Sequence, residues 1–245
     1  MSRIRTLCLL FSVALTGVMA LAEGDAAKGK PDAPGKSQWR PLFDGKTLAG
    51  WKTTQFGAHG EPEVQDGTII LPAGDPLTGI NREKDDVPHV NYEIALEAQR
   101  VEGNDFFVGL TFPVEKSFAS LILGGWAGSV CGISSIDHMD ASENSTSSFH
   151  EFKKGQWYKV RVRVLKDRLE AWLDDEQIVD ADIAGKKIST RVEVDASKPF
   201  GFCSYRTKAA LRNIRIRELT PAEVKAAEKG DEQGEAKDAK DKAAK

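Results

Sequence analysis

Hydrophobic and polar residues alternate with a period of two through most of the chain. In WYKVRVRV, residues 157–164, Tyr158, Val160, Val162 and Val164 face one way, and Lys159, Arg161 and Arg163 face the other. That is the pattern of an antiparallel strand with one buried face. VNYEIALEAQRVEG sets Tyr92, Ile94 and Leu96 against Glu93, Ala95 and Glu97, and ALRNIRIREL sets Ile214 and Ile216 against Arg215 and Arg217. RLEAWLDDEQIVDADI reads as two strands around Asp174-Asp175-Glu176. GTIIL, DFFVGLTF, FASLILGG and GSVCGISSI are further strand-like runs, and the continuous Leu121-Ile122-Leu123 suits a strand covered on both faces. Turn residues separate these runs: Asp66-Gly67, Gly103-Asn104, Gly124-Gly125 and Lys154-Gly155. No long amphipathic helix is legible between residues 38 and 219. Many short strands with almost no helix predict an all-β sandwich or barrel.

The two ends of the chain read differently. Arg3 and Arg5 precede an apolar run that closes on Ala20-Leu21-Ala22, the pattern of a secretory signal peptide over residues 1–22. The run is shorter than the roughly 20 apolar residues that span a bilayer, so an exported protein, periplasmic or extracellular, is expected, and not an integral membrane protein after cleavage. Residues 23–37, rich in Gly, Ala, Pro and charge, read as a flexible linker. Residues 220–245 mix acids and lysines with almost no large apolar side chain and read as a disordered charged tail, with room for a partial solvated helix. One folded domain is left, residues 38–219.

Net charge is −3, with both signs interspersed and no basic stripe, which excludes a nucleic-acid partner. Cys131 and Cys203 survive export. They read either as one disulfide or as two buried free thiols.

The core opens with WRPLFDGKTLAGW, carrying Phe43, Asp44, Gly45, Lys46, Leu48, Gly50 and Trp51, and closes with LRNIRIREL; QDGTIIL and GQWYKVRVRV lie between. These segments resemble the 3-keto-disaccharide hydrolase family over the whole folded core. The resemblance implies a concanavalin A-like jelly-roll β-sandwich of antiparallel strands in an exported bacterial protein, a carbohydrate partner, and, in some members, hydrolysis of glycosides whose sugar carries a 3-keto group. Asp44-Gly45 reads as turn chemistry, with Leu48 and Trp51 as apolar anchors. Two segments depart from the family pattern. EGNDFFVGLTF keeps Gly103 and Asn104 but continues with Asp105 and Phe106, and FGFCSYRTKAALRNI has no Gln-x-His. The stretch from GNDFFVGLTFPV to LILGGWAGSVCGISSID looks like a subgroup pattern of its own, of an exported, planctomycete-like kind.

The polar stretch SSIDHMDASENST, residues 134–146, invites two chemistries. Its spacing imitates the carboxylate strand of jelly-roll glycosidases, but Ser135 stands where the nucleophile belongs. Retaining hydrolysis needs two carboxyl groups roughly 5 Å apart, so that assignment is rejected. A 3-keto sugar changes the requirement: the ketone acidifies the adjacent C–H, a base removes it, and the C1 substituent leaves. For that chemistry the catalytic candidates are Asp137, Asp105 and His138, with Asp140, Glu143 and His150 as further acid–base groups. Asn104 and Arg206 are polar substrate partners. Trp126, flanked by glycines, is either a sugar platform or a core residue. Asp137 is expected at the end of a core strand, running into an acidic loop. Asp140, Glu143 and Asn144 offer oxygen donors of the kind Ca2+ prefers; calcium is kept as a candidate, and no cofactor is required. The functional expectation is an exported hydrolase-like protein acting on 3-keto-glycosides. Its alternative is a non-catalytic carbohydrate-binding or cell-surface module on the same sandwich.

Overall fold

The computed structural model describes residues 37–228. The expected signal peptide, and all of the expected linker but Ser37, lie outside the described residues. Among those described run β1 (Arg40–Pro41), β2 (Trp51–Thr53), β3 (Glu63–Gln65), β4 (Thr68–Leu71), β5 (Leu77–Arg82), β6 (Tyr92–Glu102), β7 (Val108–Val114) and β8 (Ser117–Gly125). They are followed by β9 (Val130–Ser134), β10 (Ser148–Phe149), β11 (Trp157–Val164), β12 (Arg168–Leu173), β13 (Glu176–Asp182), a 3-10 helix (Val192–Ser197), β14 (Gly201–Tyr205) and β15 (Lys208–Glu218). Every pairing between them is antiparallel. The first sheet runs β13-β12-β11-β6-β15-β4-β3 with β1 on β15, and the second runs β10-β9-β8-β7-β14-β5-β2. The described residues form the all-β antiparallel sandwich that the alternation, read together with the family resemblance, leads one to expect.

The alternation sets the core. Tyr92, Ile94, Leu96 and Ala98 of β6 and Tyr158, Val160, Val162 and Val164 of β11 point inward from the first sheet. They meet Val108, Leu110, Phe112 and Val114 of β7 and Ala119, Leu121 and Leu123 of β8 from the second. Trp51 joins this core and donates its indole N–H to the carbonyl of Leu42 at 2.8 Å, with Leu48 packed alongside. Asp44 closes the opening turn by accepting from the N–H groups of Lys46 and Thr47, each at 2.7 Å. Those bonds hold its carboxyl below the usual carboxylate range.

The outward arginines of the first sheet are paired across strands. Glu93, 2 % exposed, accepts from Arg163 Nε at 2.9 Å, Arg161 Nη1 at 3.0 Å and Arg217 Nη2 at 2.6 Å. Burial pushes the Glu93 carboxyl up, but Arg163 and Arg217 outweigh it and hold it below the usual value. Arg161 lies 3.4 Å over the ring of Trp172, and Arg212 lies 3.9 Å over that of Trp157.

Cys131 and Cys203 are free. Cys131 belongs to the core between the sheets, and Cys203 to a small cluster on the outer side of the second sheet, so the sheet itself separates the two thiols.

The start of the expected charged tail takes up the partial helix allowed for it, and residues 229–245 lie outside the described residues. Residues 221–228 are helical. Thr220 and Glu223 form a reciprocal cap: the Glu223 N–H donates to Thr220 Oγ1 at 3.3 Å, and the Thr220 N–H donates to the Glu223 carboxylate at 2.9 Å. Arg217 adds an ion pair to Glu223 at 2.7 Å. Against the opposing pull of burial, these contacts bring the Glu223 carboxyl down to about 2. Composition predicts too little apolar burial here, and the helix start is stabilised by capping instead.

Candidate functional site

The outer face of the second sheet is built from small residues. Strand register places Ser134, Ser120, Thr111, Gly201 and Asn81 in one row across it, and Gly132, Ile122, Gly109, Cys203 and Gly79 in the next. Thr111 and Ser120 satisfy each other's hydroxyls at 3.0 Å. Gly109 has no room for more: a Cβ there would come within 2.8 Å of Cys203 Sγ and 3.0 Å of the Phe106 ring. Low side chains leave a hollow, and loops roof part of it. Phe56, Leu77, Val194 and Cys203 cluster there, with Phe106 and Tyr205 packed against them. The open part is a cleft of about 330 Å³ lined by Leu77, Phe106, Ile122, Val194 and Tyr205. Asp105, Trp126, Ser120, Ser134, Arg191 and Glu193 also line it, with Pro76.

One rim of the cleft is the β8–β9 turn. The Gly128 N–H donates to the Gly125 carbonyl at 3.1 Å, with Trp126 and Ala127 at the two corners at φ 48° and 66°. Left-handed backbone at a non-glycine residue costs roughly 1–3 kcal/mol, so the turn needs outside support. Asp105 supplies some: Oδ2 accepts the Ala127 N–H at 3.2 Å, while Oδ1 accepts the Phe106 N–H at 2.8 Å. Asp105 is anchored in turn by its own N–H, which donates to Thr207 Oγ1 at 3.1 Å. Trp126 stands 42 % exposed above the cleft.

The opposite rim carries Arg191 and Glu193. Arg191 Nη2 meets Glu193 Oε1 at 2.9 Å, and its Nη1 meets Asp140 Oδ2 at 2.6 Å. The bond from Arg191 lowers the Glu193 carboxyl, and Glu193 in turn raises the guanidinium. The cleft therefore presents an aromatic edge and a carboxylate on one side, and an ion-paired cation on the other, over an apolar and hydroxyl floor. That is the makeup of a site for a small polar ligand with apolar faces.

Residues 38–217 match the family model of the 3-keto-alpha-glucoside-1,2-lyase-like domain. The chain belongs to this family. Among solved structures, the chain is similar to the carbohydrate-binding module CBM66 from Bacillus subtilis, with 14% identity, 69% of this chain and 96% of that chain covered, and a TM-score of 0.45. It is similar to domain 4 of AbnA, an extracellular arabinanase from Geobacillus stearothermophilus, with 16% identity, coverage of 71% and 85%, and a TM-score of 0.46. It is also similar to the Crh5 transglycosylase, with 10% identity, coverage of 78% and 89%, and a TM-score of 0.49. No curated protein matches the chain. The family assignment rests on the sequence match.

The 3-keto-alpha-glucoside-1,2-lyase-like domain gathers only part of the residue set expected from its sequence. Asp105 and Trp126 line the cleft together. The side chain of Asn104 is exposed, and its backbone carbonyl abuts Gly128 beneath the Trp126 turn. Arg206 is not in the lining; it stacks beside Tyr205, which is, at 5.7 Å from the ring, and pairs with Asp75 at 3.2 Å.

Asp137 and His138 lie off the lining, and Asp137 is not on a strand. β9 ends at Ser134, and Ile136 and Met139 then exchange backbone hydrogen bonds at 3.0 Å in both directions. Asp137 (φ 51°) and His138 (φ 68°) are the corners of that tight turn, a conformation aspartate tolerates. Asp137 Oδ1 is occupied by the Lys187 N–H at 2.8 Å. His150 likewise sits elsewhere, packed on Phe152 and Tyr158.

The calcium donors do not converge. Asp140 Oδ1 accepts from Ser142 and Oδ2 from Arg191. Asn144 is buried, with its amide donating to the carbonyls of Ile133, Met139 and Asp140 and its oxygen accepting from Thr146. Asp140 and Asn144 commit their side-chain oxygens in this way, and Glu143 is exposed with one long contact, 3.5 Å from the Asp140 N–H, so the three do not form a cage that fits the ion. Among the described residues no group of three or more His, Cys, Asp or Glu is arranged to hold a metal. Among them, too, no helix is long and apolar enough to cross a membrane.

Reasoning from the sequence passed over Arg191, Glu193, Phe106, Tyr205, Ser120 and Ser134. Ser120 carried a usable signal, a hydroxyl at the outward position between Ala119 and Leu121. Arg191 and Glu193 carried a misleading one: TRVEV alternates as a strand does, yet Val192–Ser197 is 3-10 helix.

Proposed function

We propose that this protein is an exported enzyme acting on 3-keto-glycosides, and that the cleft on the second sheet is its active site. The observation that supports this best is the meeting of Asp105 and Trp126 on one cleft lining, opposite Arg191 and Glu193. Trp126 and Phe106 offer apolar surface to the sugar faces. Asp105 is the base. It takes the proton from the carbon between the ketone and C1, and the electron pair moves toward the ketone oxygen, where the Arg191 cation stabilises the enolate. The enolate collapses, the C1–O bond breaks, and Asp105, now protonated, returns the proton to the departing oxygen. Water adding across the resulting double bond completes a net hydrolysis. Glu193 and Asp140 keep the Arg191 guanidinium in place. The export signal and the planctomycete-like subgroup belong to the same proposal and rest on residues 1–22 and on the segment from Asn104 to Asp137.

A second reading, a carbohydrate-binding or cell-surface module, is favoured by one observation: each Asp105 carboxylate oxygen already holds a backbone N–H. The test is release of reducing sugar from 3-keto-trehalose or 3-keto-sucrose. The enzyme reading expects turnover by wild type that Asp105→Asn removes and Asp137→Asn keeps. Binding of these sugars without turnover by wild type would establish the module instead.

A further inference from the structure

We propose that Arg100 is a positioning residue for the cleft: a buried guanidinium that fixes the Trp126 turn from beneath, so that sugar affinity depends on a side chain that never touches the sugar. The functional half of this inference rests on the reading of Trp126 as a sugar platform; the structural half does not.

Arg100 ends the inward-facing row of β6, after Tyr92, Ile94, Leu96 and Ala98, where the pattern calls for another apolar residue. It is 4 % exposed and forms no ion pair among the described residues. Its guanidinium packs on the rings of Phe107 and Phe152, 5.3 and 5.4 Å from their centroids. Nε has no hydrogen-bond partner. A cation held this way loses its hydration without gaining a carboxylate, and a methionine would fill the space without that penalty.

What the guanidinium has instead is the turn. Nη2 donates to the carbonyl of Gly124 at 3.2 Å and to that of Gly128 at 2.8 Å, the residues on either side of Gly125-Trp126-Ala127. Gly124 (φ +78°) lies so close that a Cβ there would run into the guanidinium. Asp105 completes the arrangement from the side by holding the Ala127 N–H. Both corner residues of the turn are thus left-handed non-glycines, kept there by one cation on the carbonyls and one anion on the N–H. Burial lowers the guanidinium pKa, and the charge of Asp105 opposes that shift.

The test compares Arg100→Met, Trp126→Ala and the double variant, with 3-keto-trehalose as the probe. Arg100→Met is expected to raise KM about tenfold with kcat within about twofold, and to speed amide exchange at Ala127 and Gly128. The double variant should bind no worse than Trp126→Ala alone, because Arg100 acts only through that ring. Multiplied effects in the double variant, or unchanged exchange in Arg100→Met, would overturn the proposal. If Arg100→Met fails to fold, Gly124→Ala, which displaces the guanidinium from both carbonyls, should reproduce its exchange and KM changes; wild-type values there would also overturn it. If wild type neither binds nor turns over 3-keto-trehalose, the sugar reading fails, and exchange at the turn still decides whether Arg100 holds it.

Discussion

The outer faces of the two sheets come from the same alternating pattern and end in opposite states. On the first sheet, the outward residues of neighbouring strands answer one another. Glu93 takes Arg161, Arg163 and Arg217, Glu170 takes Arg163, and Trp172 and Trp157 lie under Arg161 and Arg212. Little polar capacity is left for a ligand. On the second sheet, the two outward rows are mostly Gly, Ser, Thr and Cys, with Asn81 and Ile122 among them, and only Thr111–Ser120 is bonded side chain to side chain within them. Loops supply the rest, placing Asp105, Trp126, Arg191 and Glu193 around an open hollow. A sheet face closed by its own strands contributes stability, whereas one left low and rimmed by loops can take a ligand.

Exchanging one carboxylate on each face should separate the two roles. Asp105→Asn is expected to lower turnover of 3-keto-trehalose by roughly 10²–10⁴-fold, as loss of a general base does, with little change in the urea midpoint. Glu93→Ala should do the reverse. Removing the buried partner of Arg161, Arg163 and Arg217 should cost roughly 3–5 kcal/mol in urea unfolding, while the remaining folded protein keeps wild-type kcat. A stable Glu93→Ala variant would break the comparison from the first-sheet side.

Acid should act on the first face in a predictable direction. The folded pKa of Glu93 lies below its ordinary 4.5. Its contribution is therefore complete above pH 4.5 and is lost as pH falls through the lower folded value. Glu170, whose carboxyl burial raises, works in the opposite sense: the cost of keeping it ionised is present at higher pH and is relieved as it protonates. Unfolding midpoints measured from pH 6 down to pH 3 should fall less steeply in Glu93→Gln than in wild type.

Smaller effects sharpen the boundaries of the account. Thr220→Ala should cost about 1 kcal/mol through loss of the helix cap, read as a lower unfolding midpoint with unchanged turnover. Asp137→Asn should change turnover by less than about twofold, since a turn residue off the cleft takes no part in the general base catalysis assigned to Asp105.

The first sheet was the more legible of the two for a physical reason. β6, β11 and the second half of β15 alternate apolar with polar side chains, so the sequence marks both their course and their orientation. β7 is buried along its whole length, and its segment reads only as one more strand-like run. β5 and β14 escaped notice because LTGINR and GFCSY put small or polar residues outward, the very property that makes the hollow. Asp105 and Trp126 were legible as a carboxylate and an aromatic beside turn glycines. Arg191 and Glu193 were not, because only the tertiary fold brings the segment before β14 to the rim opposite the Trp126 turn. Asp137 was placed on a strand because GSVCGISSI continues strand-like past Ser134, where the backbone instead leaves the sheet.

The central claim is that sugar chemistry occupies the outer face of the second sheet, and the most direct measurement is a backbone amide-exchange footprint with and without saturating 3-keto-trehalose. Protection is predicted at Asp105–Phe106, Trp126–Ala127 and Arg191–Glu193, with none along β11 and β12. Protection confined to the Trp157–Trp172 face, or to residues 137–144, would contradict it.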